Sequence, residues 1–223
     1  MDRMYVWSVG LMLSLALSVI SCSRVYVGSE DTSLLSTGLV GWQQVEGEQG
    51  SWKLENGVLY TEGGDGWLST VRQYDDFVLS LEFRVPPAGN SGVFIRAPHE
   101  GNPAYEGLEI QILDDSAPQW SDLKPDQYTG SIYDIQAPSE RAGGKPGAWQ
   151  RMVIECRGSH VRVAVNGRKV IDTDTSFYPN KVATHPGLMR RSGYIGLQNH
   201  GSKIEFRNIR LRPLSPEATR KDL

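Results

Sequence analysis

Apolar and polar residues alternate along most of the chain after residue 40, and this period of two predicts strands rather than helices. The clearest example is FVLSLEFRV, residues 77–85. Its odd positions are all apolar, and its even positions include Ser80, Glu82 and Arg84. Such a pattern is typical of an antiparallel strand with one buried face.

Turn signals separate further short strands along the chain. Asn166-Gly167 lies between two alternating runs and predicts a hairpin with a type I′ turn. Many short strands divided by turns favour an all-β sandwich or barrel. Residues 115–150 are irregular, and we expect them to build a site or a rim. The other predicted strands cover residues 91–97, 107–114, 151–158, 160–174, 192–198 and 203–211.

The N-terminus has the pattern of an export signal. An apolar stretch, residues 5–20, follows Arg3, which predicts a secretory signal. The sequence V-I-S before Cys22 resembles a bacterial lipobox, so we expect Cys22 to be lipidated and to anchor the protein to the cell envelope. Ser23 after it resembles outer-membrane sorting, while an ordinary cleaved signal is the alternative. The predicted division is signal 1–21, tether 22–37, domain 38–214 and tail 215–223.

Composition and charge exclude several classes of protein. The chain has 223 residues with 39% hydrophobic content, which suits one domain with a substantial core. The net charge is −3, so there is no basic excess for binding nucleic acid, and we expect membrane contact only through the lipid anchor. Besides Cys22 there is only Cys156, which predicts a buried thiol and no internal disulfide.

Several polar residues are spaced two apart on the predicted strands and therefore share a face. Glu109 and Gln111 share the face opposite the apolar residues of 107–114, and Gln198 and His200 alternate in LQNHG, residues 197–201. Arg96 lies on the strand before. Acids, amides and rings on one sheet face are typical of a sugar site. A plain solvent-exposed face is the alternative.

An ordered series of motifs runs along the chain. The motifs are WKLENGVLY (52–60), NSGVFIR (90–96), YEGLEIQILDD (105–115), TGSIYD (129–134), GAWQRMVIE (147–155), GYIGLQNHG (193–201) and EFRNIR (205–210). Together they resemble a known family, the 3-keto-disaccharide hydrolase domain, over residues 40–214. The resemblance implies a concanavalin A-like jelly-roll sandwich of two antiparallel sheets, in proteins that are secreted or lipid-anchored in bacteria.

The resemblance implies glycosides oxidised to a ketone at C3 as substrates. The ketone acidifies the C2 proton, so a base can remove it, the enolate can expel the aglycone from C1, and water can add afterwards. This route requires a base, a hydrogen-bond donor at the enolate oxygen, and an acid or water for the leaving group. Glucanases with this sandwich carry E-x-D-x-x-E. Here Gln111 replaces the central acid, and Asp114 falls on the opposite face from Glu109, which disfavours retaining hydrolysis.

These considerations assign roles to individual residues. We expect Glu109 to act as base or metal ligand, and His200 as its acid–base partner or second ligand. A divalent metal ion stays open as a cofactor, because ligands from separate strands cannot be recognised by spacing. A non-catalytic carbohydrate-binding module on the same sandwich is the alternative function. The residues expected to bind the sugar are Arg96, Gln111, Asp114, Tyr133, Gln198 and, as an exposed stacking ring, Trp120.

Overall fold

Two antiparallel sheets face each other across one hydrophobic core in residues 31–215, the part of the chain that the computed structural model describes. The strands are β1 Thr32–Ser33, β2 Trp42–Val45, β3 Trp52–Glu55, β4 Val58–Thr61, β5 Trp67–Thr70, β6 Phe77–Arg84, β7 Asn90–Ala97, β8 Leu108–Leu113, β9 Gln150–Arg157, β10 His160–Val165, β11 Arg168–Asp174, β12 Tyr194–Gln198 and β13 Glu205–Pro213. One short helix, α1 Pro103–Glu106, precedes β8. Five 3₁₀ turns cover Pro118–Trp120, Pro125–Gln127, Thr175–Phe177, Pro179–Lys181 and Pro186–Met189.

Sheet A has eight strands in the order β11-β10-β9-β6-β13-β4-β3, with β1 paired to β13, and sheet B has the order β2-β5-β12-β7-β8. Burial alternates along β6 as its sequence predicts. Asn166 and Gly167 both have positive φ, 51° and 81°, so the predicted hairpin between β10 and β11 is confirmed. Cys156 of β9 is a fully buried free thiol.

The edge of sheet B at β8 is covered by residues from the irregular segment. Backbone hydrogen bonds run from Gly130 N to Gln111 O (2.9 Å), from Gln111 N to Ser131 O (3.1 Å) and from Tyr133 N to Glu109 O (2.9 Å). Ile132 inserts into the core beside its bridge partner, Ile110. As a result every residue of β8 is buried, and the edge offers no free strand to another chain.

The folded part begins before residue 38. Thr32 pairs with Leu211 of β13, and the Leu34 carbonyl accepts a hydrogen bond from Trp42 Nε1 at 2.8 Å. Residues 32–37 therefore belong to the domain, although the sequence assigned them to the tether. The predicted signal 1–21 and Cys22 lie outside the described residues. Within 31–215 no helix has the length and apolar character needed to cross a membrane.

A backbone irregularity turns Arg96 away from the outer face of sheet B. Arg96 has a φ of 53°, and the pairing of β7 with β12 shifts register near this point. Its guanidinium is fully buried and donates to the carbonyls of Asp75, Gly158 and Arg190 and to the Asp76 carboxylate at 3.2 Å. These bonds occupy its N–H groups, which argues against the expected sugar-binding role.

Replacing Arg96 by methionine should destabilise the fold by about 3 kcal/mol, because it leaves buried carbonyls and a carboxylate without their donor. The measurement is urea unfolding of Arg96→Met. The matched control is Arg162→Met, since Arg162 forms half-exposed ion pairs on sheet A and its loss should barely move the midpoint. Equal midpoints for the two variants would contradict a structural role for Arg96.

Candidate functional site

The outer face of sheet B, which points away from the core, carries two adjacent rows of side chains set by strand register. One row passes from Gly196 of β12 to Phe94 of β7 and Glu109 of β8, because Gly196 pairs with Phe94 and Phe94 with Glu109. The other row joins Trp67 to Gln198 and Gly92 to Gln111. The predicted alignment of Glu109 and Gln111 on one face is therefore found. This face carries the candidate site.

Two glycines make room on this face for larger neighbours. A Cβ atom at Gly92 would overlap the Glu109 carboxyl, and one at Gly196 would overlap the Trp67 ring. The Glu109 carboxyl therefore lies across β7 over Gly92, and the indole lies over β12. Both positions depend on the absence of a side chain beneath them.

The Glu109 carboxyl is buried without a polar partner. The residue is 4% exposed, and its side chain makes no hydrogen bond or ion pair with any residue in the described range. Burial, reinforced by the nearby Asp134, raises the pKa of this carboxyl to about 8. Glu109 is therefore a proton-exchanging group suited to pH values near neutrality.

Asp114, at the end of the same strand, is as buried as Glu109, but its pKa is shifted in the opposite direction. Its carboxylate accepts hydrogen bonds from Ala88 N (2.8 Å), Ser116 N (3.1 Å) and Ser116 Oγ (2.6 Å). Burial acts to raise the pKa of Asp114, but these bonds outweigh it and the pKa is lowered. Asp114 thus closes a turn, which argues against its expected contact with sugar.

A cavity of about 580 Å³ opens on the outer face next to these rows. Trp67, Phe94 and Gln198 line it, and the exposed His200 stands at its rim. Gln198 Oε1 is buried without a partner, so it is available to a ligand. The cavity reaches Phe94, the pairing partner of Glu109, but not Glu109 itself, and no contact joins His200 to that carboxyl.

The remaining expected sugar ligands are distributed unevenly. Gln111 is turned toward the backbone, since its Nε2 donates to Gln127 O at 3.4 Å and its Oε1 accepts from Ile112 N. Tyr133 lies beside Glu109 and is half-buried. Trp120 is partly buried at the end of its 3₁₀ turn and does not line this cavity. The expected residues that do lie near the site are Gln198, His200 and Tyr133.

Sequence reasoning overlooked a group of residues behind Glu109. His185 is 7% exposed, its ring meets the Tyr105 ring edge-on at 4.9 Å between centroids, and its Nε2 has no hydrogen-bond partner. Asp134 acts electrostatically on Glu109, Tyr105 and His185. Tyr105 and Asp134 stand in recognisable motifs, whereas nothing in the local sequence distinguished His185.

The described residues give no set of side chains that fits a metal ion. Between 31 and 215 no three His, Cys, Asp or Glu side chains converge in a way that could hold one. Glu109 has only an electrostatic neighbour, Asp134, whose Oδ1 accepts a hydrogen bond from Gln127.

With this fold and site, the chain belongs to the family of the 3-keto-alpha-glucoside-1,2-lyase-like domain, whose model matches residues 31–212. The two-sheet architecture confirms the predicted concanavalin A-like sandwich. The chain is 28% identical to the 3-keto-disaccharide hydrolase of Bacteroides thetaiotaomicron, over 73% of this chain and 70% of that protein.

Solved structures show the same likeness. A Parabacteroides distasonis protein, provisionally assigned as a glycosyl hydrolase, is 30% identical with a TM-score of 0.76, over 83% of this chain and all of that chain. The carbohydrate-binding module CBM66 from Bacillus subtilis shares the fold alone, with 15% identity and a TM-score of 0.54 over 77% of this chain and 95% of that one.

The unpartnered Glu109 carboxyl should make stability depend on pH. Its pKa is raised from 4.5 to about 8, so the folded state disfavours ionisation and loses stability as the pH rises from 4.5 through 8. Glu109→Gln removes this penalty. At pH 9 the variant should be more stable than the wild type by a few kcal/mol, and at pH 4 the two should be alike.

Urea unfolding of the wild type and the variant at pH 4, 7 and 9 provides the measurement. Asp114→Asn is the matched control, because it changes an equally buried carboxylate whose pKa is lowered. That variant should be destabilised at pH 7 and 9. A Glu109→Gln protein that is less stable than the wild type at pH 9 would contradict the described environment.

Proposed function

We propose that this protein cleaves 3-keto-glycosides, including 3-keto-disaccharides, by base-initiated elimination and hydration across C1–C2. The family description as a 1,2-lyase-like domain and the relative named as a 3-keto-disaccharide hydrolase support the substrate class. The observation that carries the proposal is the buried, unpartnered carboxyl of Glu109.

Glu109 serves as the base that takes the C2 proton. A carboxylate with a pKa of about 8 is a much stronger base than an ordinary one. About a tenth of the Glu109 carboxyl is ionised at pH 7, and this share grows as the pH approaches the pKa, which is compatible with general base catalysis. The activity should therefore rise with pH toward about 8.

The cavity supplies the surroundings for the sugar. Trp67 and Phe94 present ring surface, and Gln198 carries an amide whose oxygen has no protein partner. Its Nε2 is suited to donate to the C3 oxygen as negative charge develops there. His200, at the rim, binds outlying hydroxyl groups.

Access to Glu109 involves the segment before β8. Asn102 and Pro103 line the cavity, and α1 packs against both β7 and β8. A small displacement of this four-residue helix extends the cavity past Phe94 to the carboxyl. Return of the helix over the bound sugar then excludes water until the aglycone has left.

A non-catalytic carbohydrate-binding module is the second candidate. The observation that favours it is the cavity itself, which has ring surfaces and an unpartnered amide but does not include Glu109 in its lining. A binding module needs those groups and no base. Substitution of Glu109 would then alter affinity only, and the wild type would release no aglycone.

The decisive experiment follows a 3-keto-glucoside with a chromogenic aglycone by NMR in D₂O, beside the unoxidised glucoside, with and without chelator. The wild type should release aglycone from the keto compound alone and incorporate deuterium at C2. Glu109→Gln should bind the sugar but turn over at least 100-fold more slowly, as expected for loss of a general base. Release from the unoxidised glucoside would instead indicate an ordinary glycosidase, with Glu109 and Asp134 as its carboxyl pair.

Gly92→Ala tests the geometry of the base in the same assay. The added Cβ would overlap the Glu109 carboxyl and displace it, so turnover should fall about as far as in Glu109→Gln. Gly41→Ala is the matched control, because its Cβ meets no atom within 4 Å and its turnover should match the wild type. An active Gly92→Ala enzyme would show that the position of this carboxyl does not matter.

We also propose that the protein is exported and anchored through a lipid on Cys22, most simply to the outer membrane. The apolar stretch 5–20 and the following V-I-S-C support this location. Full-length protein should fractionate with membranes and label with a radioactive fatty acid, whereas Cys22→Ala should not label. Labelling that persists in the variant, or a wild type found in the soluble fraction, would contradict the anchor.

A further inference from the structure

In the irregular segment that covers β8, the side-chain amide of Gln127 forms hydrogen bonds that determine the role of the Tyr133 hydroxyl. Gln127 Nε2 donates to Tyr133 Oη at 3.1 Å and to Asp134 Oδ1 at 3.0 Å, and Gln127 Oε1 accepts from Lys124 N at 3.0 Å. Both N–H groups and the oxygen of this amide therefore have hydrogen-bond partners. The arrangement is rigid, since it closes on the backbone of its own 3₁₀ turn.

The chemistry of the partners leaves only one orientation for the amide. A backbone N–H can only donate, so the oxygen of Gln127 must face Lys124. The Asp134 carboxylate accepts, so the nitrogen must face Asp134 and Tyr133. Tyr133 Oη is therefore an acceptor from Gln127, and its own proton is free, because within 31–215 the hydroxyl has no other partner.

Tyr133 also lies next to the proposed base. Its backbone N–H bonds to the carbonyl of Glu109, and the Glu109 carboxyl is close enough to act electrostatically on its phenol. Burial, together with the charges of Asp134 and Glu109, raises the pKa of the phenol, which keeps it protonated at neutral pH. Tyr133 as a whole is half-buried, so part of its side chain remains exposed.

We propose that Tyr133 is the general acid that protonates the departing glycosidic oxygen, and that Gln127 is the positioning residue that keeps its proton available. This inference rests on the proposed cleavage of 3-keto-glycosides. Tyr133 thereby gains a catalytic role in place of the sugar contact expected from the sequence. Gln127, which no sequence motif distinguished, becomes part of the site.

The proton balance closes over the cycle. In elimination the C2–H bond breaks, Glu109 takes the proton and the electron pair forms the enolate. The C1–O bond then breaks, and the aglycone oxygen leaves with its electron pair and the Tyr133 proton. In hydration, water gives its hydroxyl to C1 and its other proton to the tyrosinate, while Glu109 returns a proton to C2. Both residues end in their initial states, and no further reactant is needed.

The test measures how strongly the rate depends on the leaving group, using 3-keto-glucosides of nitrophenol, phenol and methanol. An acid matters most for a poor leaving group. Tyr133→Phe should lose about 100-fold or more with methanol or phenol but only a few-fold with nitrophenol. Its dependence on leaving-group basicity should therefore be steeper than that of the wild type. Binding of the keto sugar should change little.

Gln127→Met is the positioning variant, because it removes the donor that faces Tyr133 without placing a second carboxylate against Asp134. It should reproduce the steeper leaving-group dependence, with kcat lowered and KM nearly unchanged. A merely structural amide would lower all rates by the same factor.

Tyr105→Phe is the matched control, since Tyr105 also neighbours Glu109 but no amide holds its hydroxyl. Its leaving-group dependence should equal that of the wild type. An unchanged dependence in Tyr133→Phe, or a steeper one in Tyr105→Phe, would overturn the assignment. A wild type that turns over no keto-glycoside would instead refute the proposed function, so the two failures are distinguishable.

Discussion

The burial of one carboxyl group without a compensating partner is the constraint on which the site depends. An unpaired carboxylate in a protein interior is costly, and nearly all buried polar groups are hydrogen-bonded. The fold tolerates Glu109 only because Gly92 leaves space beneath it and the segment 129–134 closes β8 from the other side. The surrounding architecture therefore maintains a carboxyl group with a raised pKa, at the expense of stability.

Much of the sandwich could be predicted from local sequence alone. Alternation along β6 and the Asn166-Gly167 turn are properties of short segments, and both are confirmed. The placement of Glu109 and Gln111 on one face also follows from a period of two. Such arguments succeed wherever a strand has no bulge, because successive side chains then alternate between its two faces.

The unpredicted part arises where counting fails or where distant segments meet. Arg96 adopts a positive φ, so its direction does not follow from the parity of its neighbours. The Asp114 carboxylate accepts hydrogen bonds in a turn that forms only when the chain folds. His185 and Gln127 come from irregular segments, and no periodicity relates them to β8. Residues on uninterrupted strands can thus be placed from the sequence, whereas those at bulges, in turns and on distant segments cannot.

The buried thiol of Cys156 has a consequence for the chemistry of the molecule in an oxidising medium. Burial raises its pKa to about 12, so almost no thiolate exists at ordinary pH, and thiolate is the form that oxidants and disulfides attack. Full enclosure also denies entry to reagents. The folded domain can consequently retain a reduced cysteine in an oxidising medium without cross-linking to neighbouring molecules, and modification of this sulfur would report the opening of the core.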